Sequence, residues 1–305
     1  MFRRSCVSLA IVMALVAAGP SLLGQQATFR AGIDLVPMGV TVTDRKGEFI
    51  GDLTRDDFEV LEDGRKQTLT YFASGEDETI PLHVGLLFDT SGSMGEDISL
   101  SRSAAIRFLN TLSQAEDMTL VDFDTEVRVT TYGQRDFPRM VERIRGRKPD
   151  GFTAMYDALG VFLDGAAENE GRTILVVYTD GGDTRSTLGF NDALTLIRSS
   201  DVTIHSVGFL SNQPGIVRTN QRMRLTEIAE TTGGQAFFPS AMKDVEQAYD
   251  KIVAQIRNQY TLGYVSTNTA QDGKWRRVQI RMVRPGLRDT RLQSRKGYFA
   301  LYKEQ

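Results

Sequence analysis

Asp89, Ser91 and Ser93 alternate along a short polar turn, Asp89-Thr90-Ser91-Gly92-Ser93, which follows the apolar run His83–Phe88. Five apolar positions in a row that end at a polar turn read as a buried strand of a parallel sheet, and Ile98–Leu112 behind the turn has helical spacing. The turn is then at the carboxyl end of a strand, where open α/β sheets bind ligands. Three oxygen-bearing side chains on alternate positions can converge on one point, which is what a hard cation needs. Two later stretches bring the same chemistry. Gly151-Phe152-Thr153-Ala154 places Thr153 in a loop just before a helix, and Thr179-Asp180-Gly181-Gly182 ends the apolar strand Thr173–Tyr178.

Taken singly, these residues have a plainer reading. Asp89, Ser91, Ser93 and Thr153 suit helix caps, and Asp180 before two glycines suits a turn. Together they form an ordered set at strand ends, and capping is compatible with ligation. Two carboxylates leave a divalent ion about neutralised, and hydroxyls with water suit Mg²⁺, with Mn²⁺ or Ca²⁺ as alternatives. No His or Cys nearby in sequence favours zinc.

The elements that must position this set follow from the pattern. From Ile80 to Asn258 buried strands alternate with amphipathic helices. The strands are His83–Phe88, Met118–Asp124 continuing through Val127–Thr131, Thr173–Tyr178 and Val202–Gly208. The helices are Ile98–Leu112, Phe137–Arg145, Met155–Ala167, Asn191–Ser199, Arg222–Thr231 and Val245–Gln259. This predicts an α/β fold, a doubly wound, mostly parallel sheet of five to six strands with helices on both faces. Residues 28–78 and 259–305 alternate apolar and polar positions in short antiparallel strands, with Thr54 capping a helical turn at Arg55–Phe58. Neither flank can bury a core alone. They are expected to pair into one small all-β sheet or sandwich, with residues 80–258 inserted between them.

Asp89-x-Ser91-x-Ser93, Thr153 and the Asp180 of Thr-Asp-Gly resemble the metal-ion-dependent adhesion site of von Willebrand factor type A domains, with all five positions filled. The resemblance covers about residues 80–258 and implies a Rossmann-like fold. It also implies that Ser91 and Ser93 bind the ion directly, Thr153 directly or through water, and the aspartates mainly through water. The ion would stay electrophilic, and a carboxylate from a protein partner would complete its shell. The flanks, with Val-Thr-Asp-x-x-Gly from Val42, Asp-Asp-Phe-x-Val-x-Glu-Asp-Gly from Asp56 and Arg-Lys-Gly-Tyr-Phe from Arg295, resemble a bacterial group of exported proteins carrying such a domain.

The 305-residue composition is that of an ordinary globular protein. Arg3 and Arg4 before the apolar run Val7–Ala18, followed by Gly19 and Pro20, have the layout of a secretory signal peptide over residues 1–24 or of an uncleaved signal anchor. No later stretch is long and apolar enough to span a bilayer. An exported chain, periplasmic or extracellular, loses Arg3 and Arg4 and becomes two units more negative than its formal −3. It also loses Cys6, its one cysteine, which excludes disulfides and thiolate chemistry.

Asp183 reads as a turn residue, Asp122 and Asp124 as a solvated strand end, and His83 and His205 as packed, hydrogen-bonded strand residues. Arg276, Arg277, Arg281, Arg284, Arg288, Arg291, Arg295 and Lys296 read as a solvated β face and not a nucleic-acid surface, because the remainder is acidic. Three functions compete. The first is an exported, metal-dependent binding module that takes an acidic group of a protein partner. The second is an envelope scaffold with a structural metal. The third is a metal-dependent phosphohydrolase, which is disfavoured because Ser91 stands two residues after Asp89, where such an enzyme often has a second aspartate. No nucleophile elbow and no phosphate-cradling Walker loop is present. The chain is expected not to be an enzyme.

Overall fold

The computed structural model describes residues 35–303 apart from 76, 78, 79, 96, 97, 113 and 288. The expected signal segment over residues 1–24, residues 28–34 of the first flank and Arg288 lie outside the described residues. The elements are β1 (Leu35–Thr43), β2 (Phe58–Glu62), β3 (Arg65–Gln67), β4 (Leu69–Ala73), β5 (Leu82–Asp89), α1 (Ile98–Thr111), β6 (Asp117–Phe123) and β7 (Val127–Gly133). There follow α2 (Phe137–Gly146), α3 (Met155–Ala166), β8 (Arg172–Thr179), α4 (Phe190–Ser199), β9 (Thr203–Gly208), α5 (Gly215–Thr231), β10 (Ala236–Phe237) and α6 (Met242–Arg257). The chain closes with β11 (Tyr260–Val265), β12 (Trp275–Met282), β13 (Arg291–Gln293) and β14 (Gly297–Phe299).

The central sheet has six strands in the order β10-β9-β8-β5-β6-β7, parallel except for β7. Its middle strands are near-continuous apolar runs because helices cover both faces. Helices α1, α2 and α6 close one core with Phe88, Leu120 and Val176, and α3, α4 and α5 close the other with Leu87, Val121 and Val177. From β5 the chain winds outward to β6 and β7, then returns to add β8 on the opposite side of β5. That reversal is a topological switch point, and it opens a crevice at the carboxyl ends of β5 and β8.

One expectation is corrected here. Val127–Thr131 does not continue the preceding strand but turns back as β7, in register with β6 from Phe123↔Val127 to Asp117↔Gly133. The turn is made by Asp124, whose carboxylate accepts the Glu126 N–H at 2.9 Å, an Asx-type turn without the Gly or Asn that marks a hairpin in sequence. Helix α5 also begins earlier than the apolar spacing indicates. Its first turns are exposed, the apolar Ile216 and Val217 included, and no apolar residue recurs at helical spacing after them until Met223, so periodicity carries no signal there.

The flanks form two four-stranded antiparallel sheets, β13-β1-β11-β4 and β14-β12-β2-β3, each drawing strands from both ends of the described chain. They share a core of Met38, Val40, Phe58, Val60, Tyr260, Leu262 and Tyr264. Glu62 is buried in it and accepts the hydroxyls of Tyr264 (2.9 Å), Tyr298 (2.8 Å) and Ser266 (2.6 Å), which is how a carboxylate is tolerated there. The chain enters and leaves the α/β body at adjacent points. A Cβ on Gly75 would lie 2.2 Å from the Arg257 carbonyl oxygen, so only glycine lets the two strands of chain pass.

The basic tail is not a uniformly solvated face. Arg276, buried, pairs with Asp272 at 2.7 Å. Arg284 clamps Asp57 through two nitrogens at 2.8 Å and reaches Asp52. Arg295, also buried, bonds Asp201 and the Pro37 carbonyl. The Arg284 hydrogen bonds, with those from Thr54, hold the Asp57 carboxyl down to about 2 against the opposing effect of burial. Arg284 and Arg295 are specified by aspartates far away in sequence, so the local alternation of the tail does not reveal them, whereas the partner of Arg276 lies four residues before it.

Candidate metal centre

Asp89 ends β5 and Asp180 follows β8, so the two central strands deliver one carboxylate each to the crevice. The Asp89 carboxylate bends back over its own turn, with Oδ1 accepting the Ser91 N–H at 2.9 Å. Its other oxygen accepts the Thr179 hydroxyl at 2.6 Å across the strands. From Ser91 a chain of hydroxyls runs outward, Ser91 Oγ to Ser93 Oγ at 3.1 Å and Ser93 Oγ donating to Asp180 Oδ1 at 2.8 Å. Four of the five residues singled out in the sequence are thereby joined. The chain is graded in exposure: Asp89 and Ser91 are buried, Asp180 is half-buried and Ser93 is exposed.

Thr153 is brought in by backbone. The Gly92 N–H donates to the Gly151 carbonyl at 3.1 Å, and Asp150 N–H to the Thr90 carbonyl at 2.9 Å, which lays the Thr153 loop along the serine turn. Thr153 is buried, its N–H donates to Thr184 Oγ1 at 3.0 Å, and its carbonyl accepts the N–H groups of Thr184 and Arg185. The segment after Asp180 thus clamps the Thr153 loop. Asp183, read as a turn residue, accepts the N–H of Tyr156 at the start of α3 (3.0 Å) and of Ser186 (3.0 Å), which makes it a joint between the two loops. Sequence reasoning did not single out Thr179 and Thr184, because hydroxyls partnered at long range leave no local pattern.

Burial pushes the Asp89 carboxyl up to about 7, and the charge of Asp180 adds to this, against the hydrogen bonds from Thr179 and Ser91 that favour the ionised form. The buried Asp89 carboxyl, the hydroxyls of Ser91 and Ser93 and the half-buried Asp180 carboxylate thus bring hard oxygen donors together at one edge of the sheet. Among the described residues no three His, Cys, Asp or Glu side chains form a metal-holding group. The donors here are hydroxyls as much as carboxylates, and this set fits a hard, water-retaining cation better than zinc.

Asp122 and Asp124 are not a solvated strand end. Both are buried, and Arg128, Arg143 and Arg147 surround them, with Arg143 Nε 2.8 Å from Asp122 Oδ1 and Arg147 3.0 Å from each aspartate. Burial opposes ionisation of Asp124, but the Arg128 hydrogen bond and the Glu126 N–H bring its carboxyl below the usual range. The Asp124 carbonyl accepts the Ala154 N–H at 2.9 Å, which ties this ion cluster to the Thr153 loop. His83 bonds Asp117 (2.8 Å) and the Glu170 carbonyl (2.9 Å), and the buried His205 accepts the Gln235 N–H at 3.2 Å.

A doubly wound α/β body whose switch-point crevice holds a hydroxyl and carboxylate cluster defines a class of domains. A family model of the von Willebrand factor type A domain matches residues 83–252, more than half of the chain, and the chain belongs to that family. Among solved structures it is similar to the PilB minor pilin from Streptococcus sanguinis, at 16% identity over 58% of this chain and 61% of that one, TM-score 0.47. The vWF domain of the type V pili tip protein Mfa5 from Porphyromonas gingivalis matches at 13% identity over 58% of this chain and 95% of that one, TM-score 0.49. The pilus adhesin SpaC from Lactobacillus rhamnosus GG, in its open conformation, matches at 10% identity over 85% of this chain and 49% of that one, TM-score 0.50. The chain thus spans about three fifths of PilB and half of SpaC. At these identities the likeness is one of fold. No curated protein matches the chain. No helix among the described residues is long and apolar enough to cross a membrane.

Proposed function

We propose that the protein is an exported binding module that holds a divalent cation, Mg²⁺ in the first instance, and uses it to capture an acidic group of a protein partner. The observation that carries this reading is the hydrogen-bonded series Asp89, Ser91, Ser93 and Asp180, which runs from the buried end of β5 to solvent at the switch point. Ser91, Ser93 and Thr153 would hold the ion with their hydroxyls, and Asp89 and Asp180 would balance its charge. With few carboxylates on the ion, a partner's carboxylate is a favourable further ligand. Membership of the von Willebrand factor type A family supports this use of the five residues. A non-enzymatic role is supported by Ser91, which stands two residues after Asp89 where a phosphohydrolase often has its second aspartate.

Saturating Mg²⁺ is expected to raise the Tm of the purified chain. An ion at a hundredfold over its Kd stabilises by about 2.7 kcal/mol. The rise is expected to vanish in the Ser91→Ala/Ser93→Ala double variant and in EDTA, and capture of a partner from an envelope extract should follow the same pattern. Capture that EDTA leaves intact would overturn the reading. So would Mg²⁺-dependent phosphoester turnover that Asp180→Ala abolishes.

A further inference from the structure

We infer that Thr125, an exposed residue in the turn between β6 and β7, positions the Thr153 hydroxyl for the cation, an inference that rests on the proposed reading of the site. The turn closes without the Thr125 side chain. The Asp124 N–H donates to the Glu126 carbonyl at 3.1 Å, and the Asp124 carboxylate accepts the Glu126 N–H. The Thr125 hydroxyl instead serves the neighbouring loop, where it accepts the Phe152 N–H at 2.9 Å.

That bond is one of three on consecutive amides. The N–H groups of Phe152, Thr153 and Ala154 donate to Thr125 Oγ1 (2.9 Å), Thr184 Oγ1 (3.0 Å) and the Asp124 carbonyl (2.9 Å). The peptide units on both sides of Thr153 are thus held from outside their own loop. On a fixed backbone the hydroxyl of a buried threonine is directed by χ1 alone, which β-branching restricts. The approach is close, because Gly151 has a φ of 73° and a Cβ there would collide with the Thr125 hydroxyl.

The same turn also holds the serine side of the site. The Phe123 carbonyl accepts the N–H (2.8 Å) and the hydroxyl (3.1 Å) of Thr90, which lies between Asp89 and Ser91. Residues 123–125 therefore grip both segments that carry the proposed ligands and set the spacing of Ser91 and Ser93 from Thr153. Arg128 and Arg147, each 3.0 Å from the Asp124 carboxylate, anchor the turn in their place to β7 and to the chain after α2. Mg²⁺ demands near-ideal octahedral geometry, so a ligand loop that loosens costs affinity. Groups that orient a ligand without touching the ion are commonly worth tenfold or more.

Thr125→Val keeps the shape of the side chain and deletes the acceptor, at an exposed position where folding is not at stake. The full chain is titrated with Mg²⁺ alone and its affinity is read from the rise in Tm. Thr125→Val is expected to bind about tenfold more weakly, and Thr125→Ser, which restores the hydroxyl, to within about twofold of the parent. In EDTA, the amide hydrogens of Phe152 and Thr153 should exchange faster in Thr125→Val, with those of β5 and β8 unchanged. Mg²⁺ affinity in Thr125→Val equal to the parent's would overturn the inference and leave the proposed function standing. So would equal losses in the Val and Ser variants, or a loss of affinity with exchange at Phe152 unaltered. A parent that binds no Mg²⁺ would overturn the reading of the site and this inference with it.

Discussion

Asp89 and His205 are both buried in the α/β body, and the low dielectric moves their proton equilibria in ways that oppose each other in stability. The Asp89 carboxyl is pushed from 3.8 to about 7, chiefly by burial. The folded chain therefore keeps a proton that the unfolded chain gives up, and stability is lost as pH rises through that window. Burial holds His205 down from 6.5 to about 4. Here the unfolded chain takes the proton first, and stability is lost as pH falls from 6.5 towards 4. Across their common window the slopes have opposite sign, each about 1.4 kcal/mol per pH unit at most. Asp57, held at about 2, titrates below this window. Urea unfolding of the metal-free protein in EDTA should therefore vary little between pH 4 and 6.5. Asp89→Asn should leave stability rising with pH, and His205→Asn should leave it falling. Parallel slopes in the two variants would contradict this assignment.

The β6–β7 hairpin and its arginines carry the element-scale consequence, since Arg128 from β7, Arg143 from α2 and Arg147 just after α2 all converge on Asp122 and Asp124. Arg147 touches both buried aspartates, and Arg128 is also drawn to Glu126, so removing Arg147 takes a charged partner from each carboxylate at once. Arg147→Met should cost about 2–3 kcal/mol in urea unfolding, below the full range for a buried pair because its guanidinium keeps some water. Adding Asp122→Asn should return part of that loss, because it removes a buried carboxylate that has lost one of its partners and leaves the remaining cations to Asp124, whereas simple additivity would count against a shared network. This cluster marks the limit of what was legible in the sequence. Asp89, Ser91 and Ser93 were readable because their chemistry is contiguous and the apolar run before them fixes where they fall on the sheet. The helices of the body were readable wherever one face is apolar. Asp122 and Asp124 looked solvated because Arg143 and Arg147, which justify their burial, lie some twenty residues on, and Thr179 looked like an ordinary strand residue because its partner is on another strand. Side chains specified by tertiary pairing leave no period to read.

At the scale of the whole molecule the α/β body lies in the chain between the two segments that build the β-sandwich, and a buried cation is one of the ties between them. Arg172, the first residue of β8, donates to the Gly75 carbonyl where the chain enters the body (3.2 Å) and to the Ile256 carbonyl where α6 leaves it (2.5 Å). Burial lowers its guanidinium to about 10, with the charge of Tyr71 opposing, so it is still a cation at neutral pH. Only Asn258 and Gln259 separate α6 from β11, so the last helix of the body and a central strand of one sandwich sheet are nearly continuous. The sandwich also reaches back through Arg295, whose bonds to Asp201 and the Pro37 carbonyl bridge the body and β1. Two such ties argue that the parent unfolds in one transition. Arg172→Met removes the charged donor and strands two carbonyls, at a cost of about 2–3 kcal/mol. It should also separate the melting of the body from that of the sandwich, which calorimetry would record as two peaks, with Arg172→Lys intermediate. Gly75→Ala, which forces the entering and leaving chains apart, should split the transition in the same way. A single peak displaced to lower temperature in both variants would mean that the Arg295 bridge and the sandwich core suffice to couple the two halves.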